Sequence, residues 1–186
     1  MGKRLEDMTL EELWHLFPIV LTAPSDSWQV WYAEEAAVLR DLLPRSATIS
    51  HVGSTAVGTI WAKPIVDILV EVPCAVALSS IKPVIEEMGY LCMSQVGDRI
   101  SFNKGYTEHG FAERVFHLHL RHSGDNDELY FRDYLVANPD IAALYERLKL
   151  GLWKVYEHDR DGYTDAKTSF VKRYTREARI EYAGRY

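Results

Sequence analysis

A chain of 186 residues, 47% of them apolar and 26% charged, is long enough to bury a core and reads as one soluble globular domain. Its formal charge of −6 excludes a sequence-independent grip on DNA or RNA, which needs a basic surface or stripe. Two cysteines, Cys74 and Cys92, exclude a disulfide scaffold and a repeated-spacing zinc site, and read as buried thiols of a reducing cytosol. No signal-peptide run opens the chain and no stretch has the length of a membrane span, so cytoplasmic residence is expected.

Thr9 followed by Glu12 has capping-box spacing and predicts a short accessory helix within residues 1–16. Pro18 to Thr22 reads as a short strand or extended arm, which Pro24, Ser25 and Asp26 end while capping the next helix. Trp28, Trp31, Tyr32, Val38, Leu39 and Leu42 recur at helical spacing and predict an apolar stripe on a helix ending near Pro44. Glu35 falls on that face, read as an edge position in water, with a polar partner as the alternative. Ala47 to Val52 is a first strand, delivering the chain to a Gly53-Ser54 turn, and Ile65 to Val72 is a second. Ser79 or Ser80 caps a helix through about Met88, closed by Gly89. Extended runs follow near Tyr90 to Met93, Arg99 to Lys104 and Arg114 to Arg121. The remainder reads as helices, Asp127 to Ala137, Pro139 to about Tyr156 and Asp161 to about Tyr182. The expected fold class is α+β, a mixed β-sheet covered by helices with a helical C-terminal part over residues 127–182.

The segment HVGSTAVGTIWAKPIVDILVEV, His51 to Val72, carries the most chemical information. Bare glycine and a neighbouring serine give phosphate oxygens close access to backbone amides and a hydroxyl. A carboxylate on the strand beyond can then hold the Mg²⁺ that such phosphates carry. This segment resembles the GrpB family of the nucleotidyltransferase superfamily, through Gly53, Ser54, Thr55, Ala56 and Val57, then Ala62, Lys63, Pro64 and Ile65, then Asp67, Ile68 and Val70. The resemblance extends from about Ile19 to about Lys172, taking in Trp28, the HLHL strand from His117, FRDYL from Phe131, and tyrosines and lysines along the C-terminal helices. It implies a nucleotidyltransferase-like fold. Where the family places Pro-Gly after STAV, this chain has Gly58 and Thr59.

Strand alternation puts Asp67, Leu69 and Glu71 on one face and Ile68, Val70 and Val72 on the other. The superfamily's metal pair sits two residues apart on one strand, but here the second position is Leu69, and Glu71 lies about 13 Å from Asp67. Asp67 is therefore a metal and catalytic candidate, against the alternative of a strand-end acid bonded to the turn. On the strand from Arg114, Val115, His117, His119 and Arg121 share a face. By the resemblance, His117 or His119 takes the place of the superfamily's third acid, with His119 a second metal ligand; the alternative is a half-buried pair bonded within the sheet. Lys63, Arg99, Lys104, Arg132, Lys149 and Lys167 are candidates for phosphate compensation, or else solvated surface. Tyr145 precedes Lys149 by four residues and Tyr163 precedes Lys167 by four, so each pair shares a helix face. His51 either orients Ser54 or Asp67 or packs within its strand.

The expected function is binding of a nucleoside triphosphate with Mg²⁺ and transfer of its nucleotidyl group, with Gly53, Ser54, Thr55, Lys63, Arg132, Lys149, Tyr163 and Lys167 holding the nucleotide and Asp67, His117 and His119 catalytic. A non-catalytic module binding a nucleotide or other phosphorylated small molecule is the alternative that Leu69 favours. A hydrolase using Asp67 with His117 and His119 is a third, with Mn²⁺ or Zn²⁺ in place of Mg²⁺. No nucleic-acid or membrane partner is expected.

Overall fold

The computed structural model describes residues 3–186, in which a 3₁₀ turn (Leu5–Asp7) precedes α1 (Leu10–Leu16), α2 (Ser27–Leu42), β1 (Thr48–Val52), α3 (Gly53–Val57) and β2 (Val66–Val72). Then come α4 (Leu78–Glu87), β3 (Leu91–Val96), β4 (Arg99–Thr107), β5 (Gly110–His122), α5 (Asp127–Ala137), α6 (Pro139–Trp153) and α7 (Arg160–Glu181). The strands form one mixed sheet in the order β1-β2-β5-β4-β3, with β2 and β5 parallel and the other neighbours antiparallel. Among the described residues no helix is long and apolar enough to cross a membrane.

Alternation decides the layers. Ile68, Val70 and Val72 of β2 and Phe116, Leu118 and Leu120 of β5 point into the main core, against Trp28 and Leu39 of α2 and Ile81 and Ile85 of α4. Asp67, His117 and His119 point from the opposite face, where α5, α6 and α7 pack on each other and around α3.

Thr9 and Glu12 form the capping box that their spacing predicts, at the start of α1. The expected arm from Pro18 to Thr22 makes a single bridge between Thr22 and Ala62. The Gly53-Ser54 segment is a five-residue helix rather than a turn, ended by Gly58 at φ +74°. Helix α4 starts at Leu78, ahead of the expected serine cap; Ser80 instead donates its hydroxyl to the Ala77 carbonyl. The buried stripe on α2 is Trp28, Ala36 and Leu39, continued by Leu43 just past its end, rather than one including Val38 and Leu42, which are exposed. Both fall on the same flank of the buried line, Val38 about 100° and Leu42 about 60° round from Leu39. Cys74 is exposed and Cys92 half-buried, because Cys74 sits beyond the end of β2.

Glu35 does not sit in water. Its carboxylate lies 2.7 Å from the Lys104 ammonium, brought from β4, and keeps only 11% of its side-chain exposure. Glu35→Ala is expected to cost about 2 kcal/mol, because it strands the Lys104 charge over the Tyr90 and Phe116 rings. The double variant Glu35→Leu, Lys104→Met should recover most of that loss in urea denaturation. Additive losses would refute the pairing.

Candidate functional site

The site assembles where the buried central strands meet the C-terminal helices. In the parallel register of β2 and β5, Asp67 lies beside His117 and Leu69 beside His119. Their shared polar face puts Asp67 Oδ1 3.3 Å from His117 Nδ1 and 3.9 Å from His119 Nε2. Gly53 presses its backbone onto the same carboxylate: a Cβ there would stand 2.2 Å from Asp67 Oδ2, at a φ of +72°. Only glycine allows that approach.

A cleft of about 230 Å³ opens here, lined by Gly53, Ser54, Lys63, Asp67, Lys149 and Lys167, with Thr55, His117, Tyr145 and Tyr163 also in its walls. Among the described residues Asp67 is its only carboxylate, against three lysines. Lys167 Nζ lies 4.1 Å from the centre of the Tyr163 ring, Lys63 Nζ 5.8 Å from the same ring, and Lys149 Nζ 4.9 Å from that of Tyr145. Aromatic faces thus carry part of the cost of gathering like charges. Burial nevertheless pushes the ammonium groups down, Lys63 to about 8 and Lys149 and Lys167 to about 7, aided by Arg160 beside Lys63 and by neighbouring lysines beside the other two. Such a cluster has an unmet demand for anionic charge. Lys149 spends one donor on the Trp61 carbonyl, and the Tyr163 hydroxyl is buried with no partner among the described residues.

A directional chain of hydrogen bonds leads away from the carboxylate. Arg160 Nη2 donates to the Tyr106 hydroxyl at 2.8 Å, Tyr106 donates to His117 Nε2 at 2.8 Å, and His117 Nδ1 faces Asp67. These partners assign His117 the neutral Nδ1–H tautomer. Burial pushes its imidazole down, against the pull of Asp67. Burial also raises the Asp67 carboxyl, but the hydrogen bond from His117 and the nearness of His119 outweigh it and hold the group well below the usual carboxylate range. At neutral pH the pair is carboxylate beside neutral imidazole.

Nine of the expected residues share the cleft: Gly53, Ser54, Thr55, Lys63, Asp67, His117, Lys149, Tyr163 and Lys167. Two do not line it. Arg132 donates to the His51 carbonyl, to Asp133 and to the Tyr186 hydroxyl, so its guanidinium fastens β1 to α5 and the C-terminus. His119 faces Asp67 from outside the lining, its other nitrogen 3.4 Å from Ser101 Oγ. Thr55 lines the cleft with its hydroxyl committed, accepting from His51 Nε2 at 3.0 Å and donating to the Ile65 carbonyl at 3.3 Å. His51 therefore orients Thr55 rather than Ser54 or Asp67; burial pushes its imidazole down to about 4. Arg99 pairs with Asp125 and Lys104 with Glu35, which removes both from the phosphate candidates.

Tyr106 and Arg160 escaped the sequence reading. By strict alternation Tyr106 belongs on the core face of β4, because Phe102 and Lys104 oppose Leu118 and Phe116. The register shifts between Lys104 and Tyr106, where Gly105 at φ +92° stands alone on β4 opposite residues 112–115 of β5, and the break in pairing turns the phenol onto the site face. A glycine inside a strand run was the available signal.

The donor set does not build a two-metal site. Leu69 is fully buried at the position of a second carboxylate, and Glu71 accepts from the Gly124 amide and the Asn126 side chain. Among the described residues no three His, Cys, Asp or Glu side chains are grouped to hold a metal ion. Asp67 alone remains for a cation carried in by phosphate.

A mixed sheet with helices, a Gly-Ser segment before an acid-bearing strand and a helical C-terminal part define a nucleotidyltransferase-like fold. Crystal structures of the Cid1 poly(U) polymerase with MgGTP bound share it at a TM-score of 0.50 and 14% identity, over 76% of this chain and 44% of that one. The chain belongs to the GrpB protein family, which matches residues 18–177. The glutamate-rich protein GrpB of Alkalihalophilus pseudofirmus is 33% identical over 82% of this chain and 91% of its own length. A UPF0157 protein of Pseudomonas aeruginosa is 36% identical over 81% of this chain, which spans 64% of that relative. The crystal structure of GrpB from Enterococcus faecalis superposes with a TM-score of 0.76 at 30% identity, covering 88% of this chain and 99% of that one.

Proposed function

We propose that the cleft binds the phosphate chain of a nucleoside triphosphate and that the protein transfers the nucleotidyl group to an acceptor. The observation that carries the reading is the convergence of Lys63, Lys149 and Lys167 on a cleft holding a single carboxylate beside the Gly53-Ser54 segment. Three ammonium groups of lowered pKa, Lys149 buried and Lys63 and Lys167 half-buried, gain most from a polyanion, and they supply the charge that a second carboxylate and its cation would otherwise organise.

Transfer then balances as follows. An acceptor oxygen forms a bond to the α-phosphorus, the bond from that phosphorus to the bridging oxygen breaks, and pyrophosphate leaves onto the lysines. The acceptor proton passes to His117 Nε2 by way of Tyr106, and Asp67 holds the resulting imidazolium. Leu69 supports a second reading, a module that binds the same ligand without turning it over.

Calorimetry with nucleoside, monophosphate and triphosphate, in EDTA and in Mg²⁺, tests the proposal. Affinity should climb with phosphate number even in EDTA. Asp67→Asn should bind triphosphate about threefold to tenfold more tightly in EDTA, because it removes the one anion facing the phosphates. A nucleoside that binds as well as its triphosphate would end the phosphate reading. Weaker binding by Asp67→Asn only when Mg²⁺ is present would show a metal-linked site, and release of pyrophosphate separates transferase from binding module.

A further inference from the structure

We propose that the larger cleft beside the phosphate cradle is a second ligand site, which takes a small molecule with an apolar ring or chain and one hydroxyl or amine. The site stands on its own geometry; the further statement that its ligand is the acceptor rests on the phosphate reading above.

The cleft measures about 1220 Å³ and adjoins the cradle through two shared side chains, Lys63 and His117. Small-molecule sites run to roughly 1,000 Å³, so this volume holds a whole ligand rather than a solvent pocket. Molecules in the two clefts meet across His117, which is the arrangement group transfer between two bound partners requires.

Chemistry divides the cleft into two ends. The outer walls carry an apolar strip among charged neighbours that include Arg4, Glu6, Glu108 and Asp161: Leu13 and Trp14 of α1 face Leu91 and Met93 of β3, which keep 52% and 57% of their exposure. Phe17 packs on Tyr106 at 4.7 Å between ring centres, forming an aromatic floor. The inner end is polar and already connected, since the Tyr106 hydroxyl gives its proton to His117 and accepts one from Arg160. An oxygen in that state keeps one lone pair for an incoming O–H or N–H. An apolar body lying outward with a single polar group inward satisfies both ends. Charge placed on the ligand's outer body would lie against Leu13, Trp14 and Met93 and lose its hydration there.

One wall lies outside the family match. The family match begins at residue 18, whereas Leu5, Leu13 and Trp14 precede it. That wall is fastened in place: His15 stacks on His158 at 4.4 Å, and Trp153 Nε1 donates to the Ile19 carbonyl at 2.6 Å. Selection among apolar ligands therefore lies with the N-terminal segment, separately from the phosphate machinery.

The test uses the full chain and the dye 1-anilinonaphthalene-8-sulfonate, an aromatic probe of the cleft, followed by fluorescence below the melting transition. Saturable binding at one site is expected. Met93→Glu, at an exposed rim position that folding does not depend on, should weaken it by about tenfold or more, and Trp14→Ala likewise. Val155→Glu, a still more exposed apolar position outside the cleft, should leave it unchanged. Saturating tripolyphosphate should leave the dye bound, since two neighbouring sites fill together. Parental affinity in both cleft variants, or competitive displacement by tripolyphosphate, overturns the inference. Tripolyphosphate that fails to bind in calorimetry counts against the phosphate reading alone, and the dye titrations with the three variants still decide this one.

Discussion

Gly53→Ala is expected to abolish triphosphate binding and to cost about 3 kcal/mol of stability. Two independent penalties combine. At φ +72° an L side chain is strained whatever space surrounds it, and here the new Cβ falls 2.2 Å from Asp67 Oδ2 and 2.9 Å from Asp67 Cγ. The carboxylate must rotate, which breaks its contact with His117 and moves the one negative charge of the cradle. Gly58→Ala is the control. It has nearly the same φ, +74°, with nothing within 4 Å of its Cβ, so it carries the backbone strain without the collision. It should lose about 1 kcal/mol and keep its ligand. Urea denaturation and calorimetry on both variants give the comparison; equal behaviour would mean that the contact with Asp67 is unimportant.

Proton uptake gives the second large effect. With Lys149 and Lys167 at about 7 and Lys63 at about 8, most of the cradle is neutral at pH 8 in the empty protein, and a bound polyanion restores the charge. Tripolyphosphate binding at pH 8 should take up about two protons, read from calorimetry in buffers of different ionisation enthalpy, and almost none at pH 6. Affinity should accordingly fall as pH rises through 7 to 8. Stability of the empty protein runs the other way: between about 7 and the ordinary lysine value the unfolded chain holds protons that the folded chain has released, so these groups make it more stable as pH rises. Lys149→Ala and Lys167→Ala should each remove close to one proton of the uptake. Their affinity loss should be larger for triphosphate than for nucleoside and should shrink with salt. Pairs of surface lysines would show no uptake at all.

The sequence made the site legible wherever a local period governs placement. Strand alternation put Asp67 on a polar face and His117 on another, and helical spacing joined Tyr145 to Lys149 and Tyr163 to Lys167; the fold then brought all six side chains to one cleft. What stayed hidden depends on partners far along the chain. Glu35 read as a wet edge because its cation stands 69 residues away. Arg132 read as a phosphate ligand because nothing local shows the His51 carbonyl or the Tyr186 hydroxyl. Tyr106 was invisible for a different reason: its face is set by a shift in register, and alternation gives the wrong answer on the far side of such a shift.

The parallel pairing of β2 with β5 has a consequence for the order in which the molecule acquires its chemistry. Asp67 and His117 come together across a span that contains α4, β3 and β4, and the lysines of α6 and α7 come from still later in the chain. Loop closure of that span is slow, so the cradle is among the last features to form. A phosphate ligand that grips it stabilises contacts absent from the folding transition state, and so acts as a brake on unfolding rather than as a guide to folding.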